Sequence, residues 1–214
     1  MWIPEITNII QLAIILAVSI WMHEYAHAYV SYRLGDPTPK LQGRLTPNPL
    51  KHIDPIGFLM IFFIHFGRGK PVQVNPLYYK NPRKGELMVA LAGPATNLVL
   101  AILWIFIILI YVKLMGGTPN DVFLNNIDPM IGFWISFSIL NISLAIFNLI
   151  PIAPLDWYRL IKIWRYRGAE FMEKYAHFWI IFIVLLLFLG GSVFSNLIMF
   201  VFNLLFTLIG QMFY

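Results

Sequence analysis

Long uncharged apolar runs alternate with short basic stretches along this chain. The first run spans about Thr7 to Tyr32; its apolar part ends at Met22, and His23, Glu24 and His27 follow. Leu87 to Val112 and Pro129 to Leu155 are free of Asp, Glu, Lys and Arg, and so is everything from Tyr175 to Tyr214. A bilayer crossing takes about 20 residues as a helix. The last run is long enough for two crossings and is divided by Gly190-Gly191-Ser192, so the pattern predicts five spans. Pro55 to Gly67 is apolar but too short to cross, and reads as a re-entrant or interfacial segment. Pro71-Val72-Gln73-Val74-Asn75 alternates apolar and polar side chains, which predicts a short strand. Trp157 to Arg167 reads as an amphipathic basic helix. The expected fold is an all-α polytopic membrane protein of about five transmembrane helices, with the re-entrant or interfacial segment and a small β element on the cytoplasmic side. It forms one membrane-embedded domain over 1–214, with a core at about 7–160 and a C-terminal helical hairpin at about 171–214.

Composition agrees. Hydrophobic residues make up 59% of the 214 and charged residues only 12%, against about 25% charged in soluble domains. So much apolar surface must in part face lipid. The cations then set orientation. All of the Lys and Arg except Lys113 fall in 33–54, 67–85 and 151–174, whereas the 116–128 loop carries Asp121 and Asp128 and no cation. By the positive-inside rule the three basic loops are cytoplasmic, the N-terminus lies outside and the C-terminus inside. The net charge of +5 is thus a topology signal that also suits anionic headgroups; no nucleic-acid motif accompanies it, and nucleic acid is not an expected partner. The N-terminal run lacks a basic leader and reads as a retained membrane helix.

There is no cysteine, so a metal would need His, Asp or Glu. His23-Glu24-Tyr25-Ala26-His27 matches H-E-x-x-H. Residues four apart share one helix face, so the two histidines can hold one zinc ion while Glu24, rotated around the helix, acts as a base on water. Neutral imidazoles suit zinc, which lowers the pKa of bound water from about 15.7 to about 7. Ionisable residues in a lipid-embedded helix are costly unless they serve function. His23 lies about 21 Å along the helix from Ile9 at 1.5 Å per residue, within the inner half of an apolar core about 30 Å thick. Catalytic zinc usually takes three protein ligands. Asp156, at the cytoplasmic end of the third span, is a candidate for the third; it reads equally well as the cap of the following helix.

At this point the chain resembles the site-2 protease family of intramembrane zinc metalloproteases, in its compact bacterial and archaeal branch. The resemblance rests on His23 to His27, on Asn148-Leu-Ile-Pro-Ile-Ala-Pro-Leu-Asp156, on Gly43 to Gly57 with its Asn48-Pro49 and His52-Ile-Asp54-Pro55, and on Gly93-Pro94-Ala-Thr-Asn97. It implies one Zn2+ per chain held by His23, His27 and Asp156, Glu24 as the base, and Asn148 near the zinc as a donor to substrate or oxyanion. The implied activity is hydrolysis of a peptide bond within or near the membrane segment of a single-span substrate protein. The family usually has glycine after the ligating aspartate; Trp157 stands there and could narrow access.

Other residues carry weaker expectations. Gly93-Pro94 predicts a kink, with Asn97 satisfying freed backbone. His52 is an accessory candidate or a loop histidine with a structural hydrogen bond; His65 and His177 are assigned to no metal. An extended substrate could pair with the edge of Val72, Gln73 and Val74, or that segment could merely brace its surroundings. Two rival functions stand beside hydrolysis: a metal-ion transporter, which needs polar residues across the whole membrane, and an impaired relative that binds membrane segments without cutting them.

Overall fold

The computed structural model describes residues 6–52, 54, 70–123, 128–153, 155–164, 170–171, 174–175, 178–179, 181–182 and 190–213. Among the described residues six α-helices carry the architecture: α1 (Ile6–Arg33), the single turn α2 (Thr38–Leu41), α3 (Pro82–Leu114), α4 (Pro129–Asn148), α5 (Tyr158–Trp164) and α6 (Gly191–Gly210). Four of them are long and apolar enough to cross a bilayer: α1 from Ile9, α3, α4 and α6. The expected fifth span, before Gly190, and the re-entrant segment at 55–67 lie largely or wholly outside the described residues.

Local chemistry sets the helix ends. The Asn81 side chain accepts from the Lys84 N–H at 3.1 Å, with Pro82 at the first helical position where its missing N–H costs nothing. Asp128 does the same for α4, accepting from Met130 N–H at 2.8 Å ahead of Pro129. Its second carboxylate oxygen accepts from the Tyr111 hydroxyl at 2.7 Å, which ties the end of α3 to the start of α4. α1 stops at Gly35, whose φ of +105° suits only a residue without a side chain. The third span was expected to run to Leu155, but α4 ends at Asn148, before Pro151, because a proline disfavours helix at the residue preceding it.

The long helix α3 is the hub, packing along α1 on one side and α4 on another. Its two halves differ. In the C-terminal half, Ala101, Ile105, Ile108, Leu109 and Val112 join Ile131 and Ile142 of α4 and Ile198, Phe202, Phe206 and Ile209 of α6 in one apolar cluster. In the N-terminal half the buried positions include Glu86, Gly93 and Asn97, and Gly93 and Asn97 face the buried His23 and His27 of α1. Lipid is as apolar as leucine, so helix association in a membrane draws on close packing and on hydrogen bonds between helices; this polar half supplies both.

The predicted β element is corrected. Among the described residues there is no strand, and 71–75 forms no ladder. The reason is visible in its backbone partners. Val72 donates its N–H to the Glu24 carboxylate at 3.1 Å, and its carbonyl accepts from Arg159 Nη2 at 3.4 Å. Asn75 N–H goes to Asp36 Oδ2 at 2.7 Å. Side chains take the groups that a neighbouring strand would have taken. Asp36 itself is fully buried and also accepts from Ser31 Oγ at 2.8 Å and Thr38 N–H at 2.9 Å. Burial raises its pKa, but these donors outweigh burial and hold the carboxyl below the usual range.

Candidate metal centre

His23 and His27 stand one turn apart on the inner face of α1, as the spacing predicts. Their Nε2 atoms face each other at 3.0 Å. Asp156 comes from the turn between α4 and α5. Its Oδ2 lies 2.9 Å from His23 Nε2 and its Oδ1 3.1 Å from His27 Nε2. The turn that carries it is closed by Trp157 N–H donating to the Asn148 carbonyl at 3.1 Å. The main-chain carbonyl of Asp156 accepts from Arg159 N–H at 3.1 Å as α5 begins, which leaves the carboxylate on the imidazoles. Spacing left open whether Asp156 is a ligand or a cap; its carboxylate lies against the two imidazoles.

His27 Nδ1 is 2.7 Å from the Val89 carbonyl. A carbonyl only accepts, so Nδ1 carries the proton and Nε2 of the neutral ring presents a lone pair. That lone pair meets a second imidazole nitrogen and a carboxylate oxygen, and Asp156 Oδ2 is buried without a hydrogen bond of acceptable geometry. Two acceptors turned toward one another, as the His27 lone pair and the Asp156 carboxylate are at 3.1 Å, repel unless something positive sits between them. Tetrahedral ligands about 2.0–2.1 Å from zinc stand roughly 3.3 Å apart, close to the separations here. His23, His27 and Asp156 are the three-ligand group among the described residues that could hold a metal ion, and its chemistry fits one.

Helix α3 closes the site from the other side, and here the sequence reading missed two contributors. Gly93 was expected to shape a kink. α3 continues as helix through Pro94, and Gly93 has a further role, letting its backbone pass against the imidazoles. A Cβ placed on Gly93 would lie 2.5 Å from His23 Nε2 and would also collide with His27 Nε2. Val89 contributes only a carbonyl, which no side-chain pattern announces. Asn97 was expected to satisfy backbone freed by Pro94. Its amide is used elsewhere: Oδ1 faces His23 Nδ1 at 2.5 Å and Nδ2 donates to Asn141 Oδ1 at 2.8 Å.

The remaining expected residues lie outside the three-residue group. Glu24 is held by the Val72 amide beside the cluster and is not part of it. Val72 is buried, Val74 half-buried, and Gln73 exposed with its Oε1 3.5 Å from Gln42 Nε2. Asn148 donates its side-chain amide back to the Leu144 carbonyl of its own helix at 3.0 Å. Trp157 is half-buried next to Asp156. His52 is fully buried but belongs to the loop. Its Nε2 lies 3.1 Å from the Thr46 carbonyl, its main-chain carbonyl accepts from Lys70 N–H at 2.8 Å, and its ring meets Tyr25 edge-on at 6.2 Å. Burial and the Arg44 charge push its imidazole below the usual range, outweighing the Thr46 carbonyl and Glu24. His65 and His177 lie outside the described residues.

Residues 11–126 match the protein-family model of peptidase family M50. A protein of Bacillus subtilis (strain 168), provisionally named zinc metalloprotease YwhC, is 42% identical over 176 residues, covering 81% of this chain and 78% of that protein. A protein of Mycolicibacterium smegmatis, provisionally named zinc metalloprotease Rip2, is 32% identical over 150 residues, covering 68% of this chain and 53% of its own length. Zinc metalloprotease MJ0392 of Methanocaldococcus jannaschii is 24% identical over 166 residues, 78% of this chain and 36% of that protein. No solved structure matches. A chain with this ligand group on these helices, matched over more than half its length by the family model, belongs to peptidase family M50.

Proposed function

We propose that this chain is a zinc-dependent endopeptidase that cleaves membrane-protein substrates inside or at the edge of the bilayer. The observation that carries the reading is the convergence of His23, His27 and Asp156 on one point among membrane-spanning helices. These three residues would hold the zinc, and zinc supplies Lewis-acid polarisation of the scissile carbonyl and makes water acidic enough to react near neutral pH. Glu24 takes the proton of the attacking water and returns it to the leaving amine. The Val72 amide orients Glu24 for that task. Asn148 gives one N–H of its amide to the Leu144 carbonyl, and the other would serve the developing negative charge, the demand that oxyanion donors meet. Trp157 borders access to the site, and His52 supports the loop behind Tyr25.

The catalytic core takes in about 7–160. The basic loops and the opening of the site face the cytoplasm, with the N-terminus outside. The substrate is a single-span protein whose helix unwinds locally, because helical backbone hides its carbonyls. Its extended stretch lies along 72–74, where Gln73 is exposed. Replacing Gln73 or Val74 with proline is expected to lower cleavage several-fold and leave zinc content unchanged; unchanged cleavage in both variants removes the docking role of this segment.

The reading as a whole is tested by metal removal. Stripping the purified protein with a chelator should abolish cleavage of a panel of single-span substrates, and one equivalent of Zn2+ should restore it. Metal-dependent ion flux in vesicles with no cleavage would replace the peptidase with a transporter. Full zinc loading with neither flux nor cleavage would leave an impaired relative, Trp157 being the first residue to revert to glycine.

A further inference from the structure

Behind His23 lies a chain of side chains that the ligand set does not explain. Ser19 of α1, Asn97 of α3 and Asn141 of α4 are all fully buried. They connect three helices in one hydrogen-bonded line that ends on the outer nitrogen of His23. We infer that Asn141 is a positioning residue of the metal centre: acting through Asn97, it fixes the proton of His23 on Nδ1 and so keeps the Nε2 lone pair free for the metal. The inference rests on the metal-site reading above.

The direction of every bond in the line follows from its far end. Asn141 Nδ2 is 2.9 Å from the Phe137 carbonyl, which can only accept. The same nitrogen is 2.8 Å from Ser19 Oγ. The Ser19 hydroxyl has spent its proton on the Ile15 carbonyl at 2.7 Å, so its oxygen accepts. Two independent acceptors therefore place the NH2 group of Asn141, and its Oδ1 must point toward Asn97. Asn97 Nδ2 donates to that oxygen at 2.8 Å. Asn97 Oδ1 is left facing His23 Nδ1 at 2.5 Å, and an amide oxygen only accepts. The proton of a neutral His23 must then be on Nδ1.

Without this line the amide of Asn97 could turn over and present its NH2 group to Nδ1. His23 would then carry its proton on Nε2, the atom needed by the metal. Turning Asn141 instead would set its oxygen against the Phe137 carbonyl and would draw the Ser19 hydroxyl away from the Ile15 carbonyl. An outer partner that fixes the tautomer of a ligating histidine is commonly worth about 10–100-fold in metal affinity.

The test compares wild type, Asn141→Leu and Asn141→Asp in detergent, using Zn2+ as the probe. Leu keeps bulk and removes the line. A buried Asp is favoured in its neutral form; its O–H can donate to Phe137 and its carbonyl can accept from Asn97, so direction is preserved. Histidine 15N spectra of the metal-free proteins above neutral pH should show His23 protonated on Nδ1 in the wild type and Asn141→Asp, with Nε2–H rising in Asn141→Leu. Zinc affinity should fall about 10–100-fold in Asn141→Leu and stay within a few-fold of wild type in Asn141→Asp. Equal affinity in all three, or an equal loss in both variants, overturns the proposal. If Asn141→Leu fails to fold, an Nε2–H signal for His23 in the wild type overturns it alone. A wild type that binds no zinc refutes the metal site itself, a distinct failure.

Discussion

Glu24→Gln is expected to abolish measurable cleavage while the protein keeps its zinc. The amide oxygen of Gln can still accept from the Val72 N–H, so the contact now made at 3.1 Å survives and the 71–75 segment stays in place. Glu24 is outside the three-ligand group, so metal content should remain near one per chain. What disappears is the ability to take a proton. General acid–base catalysis by a positioned side chain contributes about 10²–10⁴-fold, or roughly 3–5 kcal/mol of barrier. Single-turnover cleavage of a single-span substrate, with zinc measured on the same sample, is the appropriate assay. Wild-type cleavage by the variant would mean that another group moves the proton.

The second large effect belongs to a residue with no chemistry of its own. Gly93→Ala adds one methyl group, and helix propensity alone would make α3 more stable by about 1 kcal/mol. The added Cβ would nonetheless lie 2.5 Å from His23 Nε2 and collide with His27 Nε2, closer than packed atoms tolerate. One of the imidazoles or the backbone of α3 must move. Both rings are pinned at their other nitrogens, by Asn97 and by the Val89 carbonyl, so neither can retreat without breaking a buried bond. Zinc affinity is expected to fall by at least about 100-fold, the upper end of effects from a ligand's surroundings, with helix content intact by circular dichroism. Full zinc occupancy in Gly93→Ala would contradict the close approach of α3 to α1.

These two cases show what could be read from the sequence and what could not. His23, Glu24 and His27 are one turn of one helix, so their spacing alone specifies their relative placement. Asp156 was reachable because two helix ends of matching orientation bring it to the depth of the histidines. Val89, Gly93 and Asn141 were not, because their roles exist only once α3 lies against α1 and α4. Asn141 sits in an uncharged run where a single amide looks like any polar residue in a membrane helix. The alternation at 71–75 misled for the opposite reason: a period of two records which side chains face inward, and it is silent on whether the backbone pairs with a strand or with Glu24 and Arg159.

The two histidines are anchored by different kinds of atom, and that has an evolutionary consequence. The partner of His23 is a side chain, so mutation at position 97 or behind it can retune that ligand by degrees. The partner of His27 is main chain, and every substitution at position 89 leaves the same oxygen in place. One half of the pair is open to selection and the other is fixed by the course of the polypeptide itself. Drift in metal preference among descendants of this chain should accordingly be traced on the His23 side.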